Sequence, residues 1–144
     1  LQVLGPEPLT EDFDTRYLYP RLKASSKEIK PFLLDQRLVA GIGNIYASEI
    51  LFASGVLPQR SSHSLKKKEV QAIVENTRRI LLSAIEYNGT SVSDFRQVDE
   101  KTGEFQNFLQ VYDKESQSCP RCEVPLQRIV QQQRSTFFCI GCQK

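Results

Sequence analysis

The residues best equipped for chemistry stand near the end of the chain, as CPRC at 119–122 and CIGC at 139–142. Cys119, Cys122, Cys139 and Cys142 form a C-x2-C-x16-C-x2-C pattern, the spacing of a four-thiolate zinc ribbon. Each C-x2-C turn aims two sulfurs at one point, and two such turns complete a tetrahedron. Two disulfides or a redox C-x-x-C pair are the alternatives. One structural Zn2+ is the better reading, because a span of 24 residues cannot bury a core of its own. In finger peptides zinc supplies folding energy on the order of 10–16 kcal/mol. A closed four-Cys site has no open coordination position, so such a metal is not catalytic.

A second constellation is GIGNIY at 41–46, two glycines and an asparagine where a helical run begins. Glycine permits positive φ and removes bulk beside the backbone. Asn44 at the N-cap position leaves the following N–H groups free, and a helix start with open donors is an anion site. A tight turn with an ordinary cap accounts for the same residues. Between the cysteine pairs lies PLQRIVQQQRSTFF, two strand-like runs about a polar tip, read as a β-hairpin carrying Arg128 and Arg134. A guanidinium on a rigid hairpin suits a phosphate, because its planar fork makes paired bonds. A solvated surface arginine is the equal alternative.

Helices must position these groups. Leu9 to Lys23 reads as one, with Thr10 as N-cap, Glu11 and Asp12 at the positive end of the dipole, and Pro20 bending or ending it. Ser25-x-x-Glu28 fits a capping box before a helix over Ile29 to Gln36. Arg37 to Gly43 connects to a helix over Asn44 to Ala53, closed by Gly55 and Pro58. Ser64 caps the longest helix, Leu65 to Tyr87, in which Val70, Ile73, Val74, Thr77, Ile80, Leu81, Ala84 and Ile85 keep i, i+3, i+4 spacing. Asn88-Gly89 stops it, a helical turn follows near 92–98, and short strands and turns begin at Val111. The expected fold is mainly α: a helical body over 1–111 and a small zinc-ribbon hairpin over 112–144. Lys66–Lys68 reads as a solvated helix start, and His63, the one histidine, as a surface residue rather than a metal ligand.

Composition bounds the rest. The 144 residues are 40% hydrophobic, enough for a core. No apolar run approaches a membrane span, and no signal-peptide pattern opens the chain. There is no Met, and the chain opens LQVLGPEPL, so a fragment whose earlier part is missing is expected. The formal net charge is +2, which becomes 0 if four thiolates bind one zinc (−4 + 2 = −2). Any affinity for nucleic acid must therefore come from local placement of charge.

FLLDQRLVAGIGNIYASEILFASGVLP at 32–58 resembles the helix–two-turns–helix signature of the formamidopyrimidine-DNA glycosylase family. LGPEPL, FLQVYDKE at 108–115 and the C-terminal QQQRSTFFCIGCQK are similar to other segments of that family, in order along the whole chain. The resemblance implies a bacterial base-excision-repair enzyme. Such an enzyme removes 8-oxoguanine and formamidopyrimidines from double-stranded DNA, then cleaves the abasic strand by β,δ-elimination. It implies phosphate contacts by Gly43 and Asn44. It implies a phosphate-gripping Arg134 credited with helping δ-elimination, for which charge stabilisation is a better account than proton donation. Lys27 is the residue expected to replace a basic contact common in the family. The stretch 97–108, with Lys101, Thr102, Gly103 and Glu104, resembles the loop that covers the extruded base. The family's nucleophile is an N-terminal proline with a glutamate beside it. Pro6 and Glu7 do not supply it, since an amide nitrogen inside a peptide bond is not nucleophilic. The chain by itself is thus expected to be inactive, monomeric, cytoplasmic and free of membranes. The sister family that acts on oxidised pyrimidines, a non-catalytic damaged-DNA binder and a protein-binding zinc ribbon are the rival readings.

Overall fold

The computed structural model describes residues 4–88 and 109–144. The elements run α1 (Thr15–Lys23), α2 (Ile29–Leu34), α3 (Asn44–Ser54), a 3-10 turn (Ser62–Ser64), α4 (Lys67–Asn88), β1 (Gln127–Gln131) and β2 (Arg134–Phe138). The expected helical turn near 92–98 and the loop over 97–108 fall outside the described residues.

The apolar periodicity of α4 closes the core as expected. Val70, Ile73, Val74, Thr77, Ile80, Leu81 and Ala84 are buried, and Ile85 packs against them half-buried. They meet α3, in which every residue from Tyr46 to Phe52 is buried. A helix covered all round has no polar face to orient it. It is held instead by α2 and α4 on the body side and by β2 on the other.

The second and third helices start at Ile29 and Asn44 as expected, whereas the first and the last start later, and the capping differs at all four. The first helix begins at Thr15 rather than near Leu9, because residues 7–13 make consecutive turns (Thr10 N to Glu7 O, Phe13 N to Thr10 O) that bury Phe13. Asp14 is its cap, accepting from Tyr17 N at 2.8 Å. Thr10 instead donates its hydroxyl to Glu7 O. Pro20 lies inside α1 without ending it. Ser25 and Glu28 do not form a capping box. Ser25 Oγ accepts from Lys27 N, and the Glu28 carboxylate is taken by Gln131 Nε2 at 2.8 Å. The helix ends at Leu34, not Gln36, because Asp35 leaves helical backbone and accepts from Arg37 N, opening the first of two turns. Gly43, not Asn44, is the N-cap of α3, and Gly55 closes that helix at φ 73° as expected. Ser64 is spent on Ser61 O and Arg60, so the start of α4 is served by Glu69, whose carboxylate accepts from Lys66 N at 2.8 Å.

The hairpin is antiparallel, with Gln131 opposite Arg134 and Gln127 opposite Phe138. Its two-residue turn holds Gln132 and Gln133 at φ 48° and 68°, the pair of positive values a type I′ turn demands. A small second core, Phe52, Val111, Cys119, Leu126, Phe137 and Cys139, joins the hairpin to α3. Arg121 stacks its guanidinium over the Phe52 ring at 4.6 Å.

Candidate nucleic-acid interface and metal centre

The four cysteine sulfurs lie within 4.8 Å of one another. Cys119 Sγ stands 3.7 Å from Cys142 Sγ, and Cys122 Sγ stands 3.3 Å from Cys139 Sγ. Four sulfurs placed tetrahedrally at about 2.3 Å from one zinc are about 3.8 Å apart, so the donor set fits that ion. The surroundings fit it as well. Arg121 N–H donates to Cys119 Sγ at 3.4 Å, which favours the thiolate a metal requires. A Cβ on Gly141 would sit 2.9 Å from Cys122 Sγ, so the CIGC turn needs glycine to close around the sulfurs. None of the cysteines is in a disulfide. His63 is exposed and lies outside the cysteine cluster.

The second site is built where α3 starts and β2 begins. Gly43 is extended (φ −90°, ψ 171°) and makes no side-chain capping bond, so the Asn44 and Ile45 N–H groups have no acceptor from their own helix. Positive φ is needed at Gly41 (93°), where Gly41 N donates to Gln36 Oε1 at 2.8 Å. Asn44 does not cap because its side chain is engaged elsewhere. Its Oδ1 accepts from the Lys30 ammonium, and its Nδ2 donates to Ser135 O at 3.0 Å. Ser135 is the neighbour of Arg134, which lies exposed at the start of β2. The fold thus sets Asn44, beside Gly43, against the residue that follows Arg134, across 91 positions of the chain. Arg128, on β1, bonds Ser135 Oγ through two guanidinium nitrogens at 3.1 and 2.8 Å and braces the same strand.

Lys30 is the residue that sequence reasoning missed. Its side chain is fully buried, and its ammonium also reaches Thr136 Oγ1 at 2.8 Å and Ser135 O at 3.4 Å. Burial, then the nearby Arg134 charge, lowers its pKa from 10.5 to about 8. Nothing in the period of IKPFLL marks it, since it neighbours the inward positions Ile29, Phe32 and Leu33 without sharing their type. Lys27 is exposed and paired with Asp35 at 2.7 Å, while Arg37 grips the same carboxylate at 2.9 Å. The Arg37 bonds foremost, then Lys27, hold the Asp35 carboxyl well below the usual range. Lys101, Thr102, Gly103 and Glu104 lie outside the described residues.

Residues 4–96 match the family described as the formamidopyrimidine-DNA glycosylase H2TH domain, and residues 116–144 match the zinc finger found in FPG and IleRS. This chain belongs to the formamidopyrimidine-DNA glycosylase family. It is similar to the formamidopyrimidine-DNA glycosylase of Serratia proteamaculans, 47% identical over 141 residues, which are 98% of this chain and 52% of that protein. It is 46% identical to the same enzyme of Neisseria meningitidis over 144 residues, covering 100% of this chain and 52% of the relative. The chain thus spans about half the length of the curated relatives it matches. Among solved structures it resembles the Lactococcus lactis glycosylase bound non-covalently to DNA containing an AP site, with TM-score 0.86 and 39% identity over 98% of this chain and 50% of that one. It also resembles the Thermus thermophilus MutM protein, with TM-score 0.85 and 42% identity over 97% of this chain and 53% of that one. The expected zinc ribbon is therefore present on both counts: a matching finger family, and four sulfurs placed for one structural zinc.

Proposed function

We propose that this chain is the DNA-gripping half of a base-excision-repair glycosylase and AP lyase that acts on oxidised purines in duplex DNA. The observation that carries the proposal is the Asn44 amide bonded to Ser135 O, which sets the start of α3 beside the strand that the exposed Arg134 opens. Solved relatives of this architecture hold DNA containing carbocyclic 8-oxo-G, FAPY-dG or an abasic site. In this reading Gly43 N–H and Asn44 bind one backbone phosphate and Arg134 another beside the lesion. Arg134 stabilises the charge of the departing phosphate during δ-elimination, since a guanidinium is too weak an acid to act as a proton donor. Lys27 supplies weaker support from beside Asp35, and residues 101–104 belong to the segment that covers the extruded base.

The units assigned to these tasks are 1–111 for the helical body and 112–144 for the finger. Pro6 and Glu7 are internal and supply no nucleophile, so the 144 residues alone bind DNA without excising a base. Among the described residues no helix is long and apolar enough to cross a membrane. The setting we assign is the DNA of a bacterial cytoplasm, with the chain acting as a monomer.

Titration of the zinc-loaded chain onto a duplex with an abasic-site analogue tests this. Arg134→Ala is expected to weaken binding by ~1.5–3 kcal/mol and to flatten the salt slope by about one unit, because one phosphate contact is lost. Unchanged affinity and slope in that variant would reject the reading and favour a zinc ribbon used for protein contacts.

A further inference from the structure

We propose that Lys30 is a positioning residue for the phosphate grip: its buried ammonium fixes the Asn44 amide with nitrogen outward and locks the Arg134 hairpin against the start of α3. The inference rests on the phosphate-binding reading and adds a residue that touches no phosphate itself.

An ammonium has three donors and no acceptor. Lys30 spends them on three oxygens: Asn44 Oδ1 on α3, Thr136 Oγ1 and Ser135 O on β2. A carboxamide has two faces of nearly equal shape, one accepting and one donating. Beside an ammonium only the oxygen can face inward. Asn44 Nδ2 is therefore turned the other way, where it bonds Ser135 O and keeps a second N–H for a ligand. A flipped amide would present its oxygen to a phosphate and repel it.

The same cation sets a distance. Lys30 sits on α2, Asn44 opens α3, and Thr136 is two residues from Arg134 on β2. Bonds to both sides of the junction hold the two phosphate-contacting elements at one spacing. Neighbouring contacts reinforce the dock, with Gln131 Nε2 donating to Glu28 Oε1 and to Pro58 O at 3.1 Å. Among the described residues no carboxylate is bonded to Lys30, and the charge that acts on it most is the cation Arg134.

The test is a double-mutant cycle on the zinc-loaded chain, with Lys30→Met, Asn44→Ala and the pair, on a duplex carrying a tetrahydrofuran abasic analogue. Lys30→Met is expected to weaken binding roughly tenfold, the loss typical of one charge-assisted contact. The pair should be no weaker than the worse single variant, because both changes remove the same amide contact. The salt slope of Lys30→Met should stay at the wild-type value, while that of Arg134→Ala falls by about one unit. Thr136→Val, which keeps the charge and removes one finger partner, should weaken binding in the same direction; it decides the matter if Lys30→Met does not fold. Unchanged affinity in Lys30→Met, additive losses, or a slope reduced by one unit would each overturn the positioning role while leaving the phosphate reading intact. A wild-type chain that folds, loads zinc and binds no duplex defeats that reading and this inference with it.

Discussion

Lys30 decides how Asn44 behaves, and its protonation gives the residue scale a measurable signature. Its pKa lies near 8 rather than 10.5, lowered by burial first and by Arg134 second. A base whose pKa falls on folding leaves the folded state with fewer bound protons between about 8 and 10.5. Its contribution to stability therefore rises with pH through that window. DNA affinity should move the other way. The neutral amine gains a lone pair and no longer dictates which face of Asn44 meets it. Between pH 7 and 9 the urea midpoint of wild type should gain on that of Lys30→Met. Over the same range the wild-type advantage in DNA affinity should shrink. Taking differences against Lys30→Met cancels the pH dependence of zinc binding. Two flat differences would show that Lys30 does not titrate there.

At the scale of elements, α3 is the part on which everything else is mounted. Glu49, near its middle and buried, accepts from Gln110 N at 2.8 Å, Val111 N at 2.9 Å and Tyr112 N at 2.8 Å. These three bonds tie the segment leading into the finger to the helix whose N-terminus carries Asn44. Burial raises the Glu49 pKa, and the three N–H groups oppose that rise. Glu49→Gln keeps the shape but turns an NH2 toward N–H donors. Leaving a buried donor unpaired costs ~1–3 kcal/mol. At about 2–4 °C per kcal/mol for a chain of this size, thermal unfolding should show a drop of several degrees. A midpoint unchanged within a degree would mean that the segment has another anchor.

At the scale of the whole molecule, the described residues form two cores and one four-cysteine metal site. The larger core lies within the helical body, whereas the smaller one joins Phe52 of α3 to Phe137, Leu126 and the cysteines Cys119 and Cys139. The chain end is docked too: Gln143 Nε2 donates to Val56 O at 2.8 Å, and Arg60 reaches Lys144 O at 2.8 Å while paired with Glu69. The finger is too small to hold its shape without metal. A strong chelator should therefore abolish the hairpin while the helical signal of the body largely persists, followed by far-UV circular dichroism. DNA binding should vanish in the same titration, because Arg134 is lost and the β2 cover over Lys30 and Asn44 goes with it. A chelated sample that keeps its DNA affinity would place the binding surface wholly on the helices.

The sequence by itself determined the features that depend on local spacing. The two C-x2-C turns declared a four-sulfur site because each turn sets its own pair of ligands. The 3.6-residue period of α4 declared its buried face, and Gly55 declared the end of α3 because left-handed backbone favours glycine. Helix starts were less legible. Asp14 and Gly43 displaced Thr10 and Asn44 as caps, and Glu69 within α4 took the N–H bond expected of Ser64, since several polar residues compete for each terminus and tertiary partners choose among them. Only the tertiary structure decided the rest. Lys30 is buried and Glu49 is spent on three distant N–H groups because β2 and the 110–112 segment cover them, and chain separations of about 60 to 106 residues leave no periodic trace. Read alone, Arg134 divides evenly between a phosphate ligand and a solvated surface residue, and Asn44 reads first as part of a turn and cap. What joins them is a lysine whose bonding partners come from both sides of the docked interface.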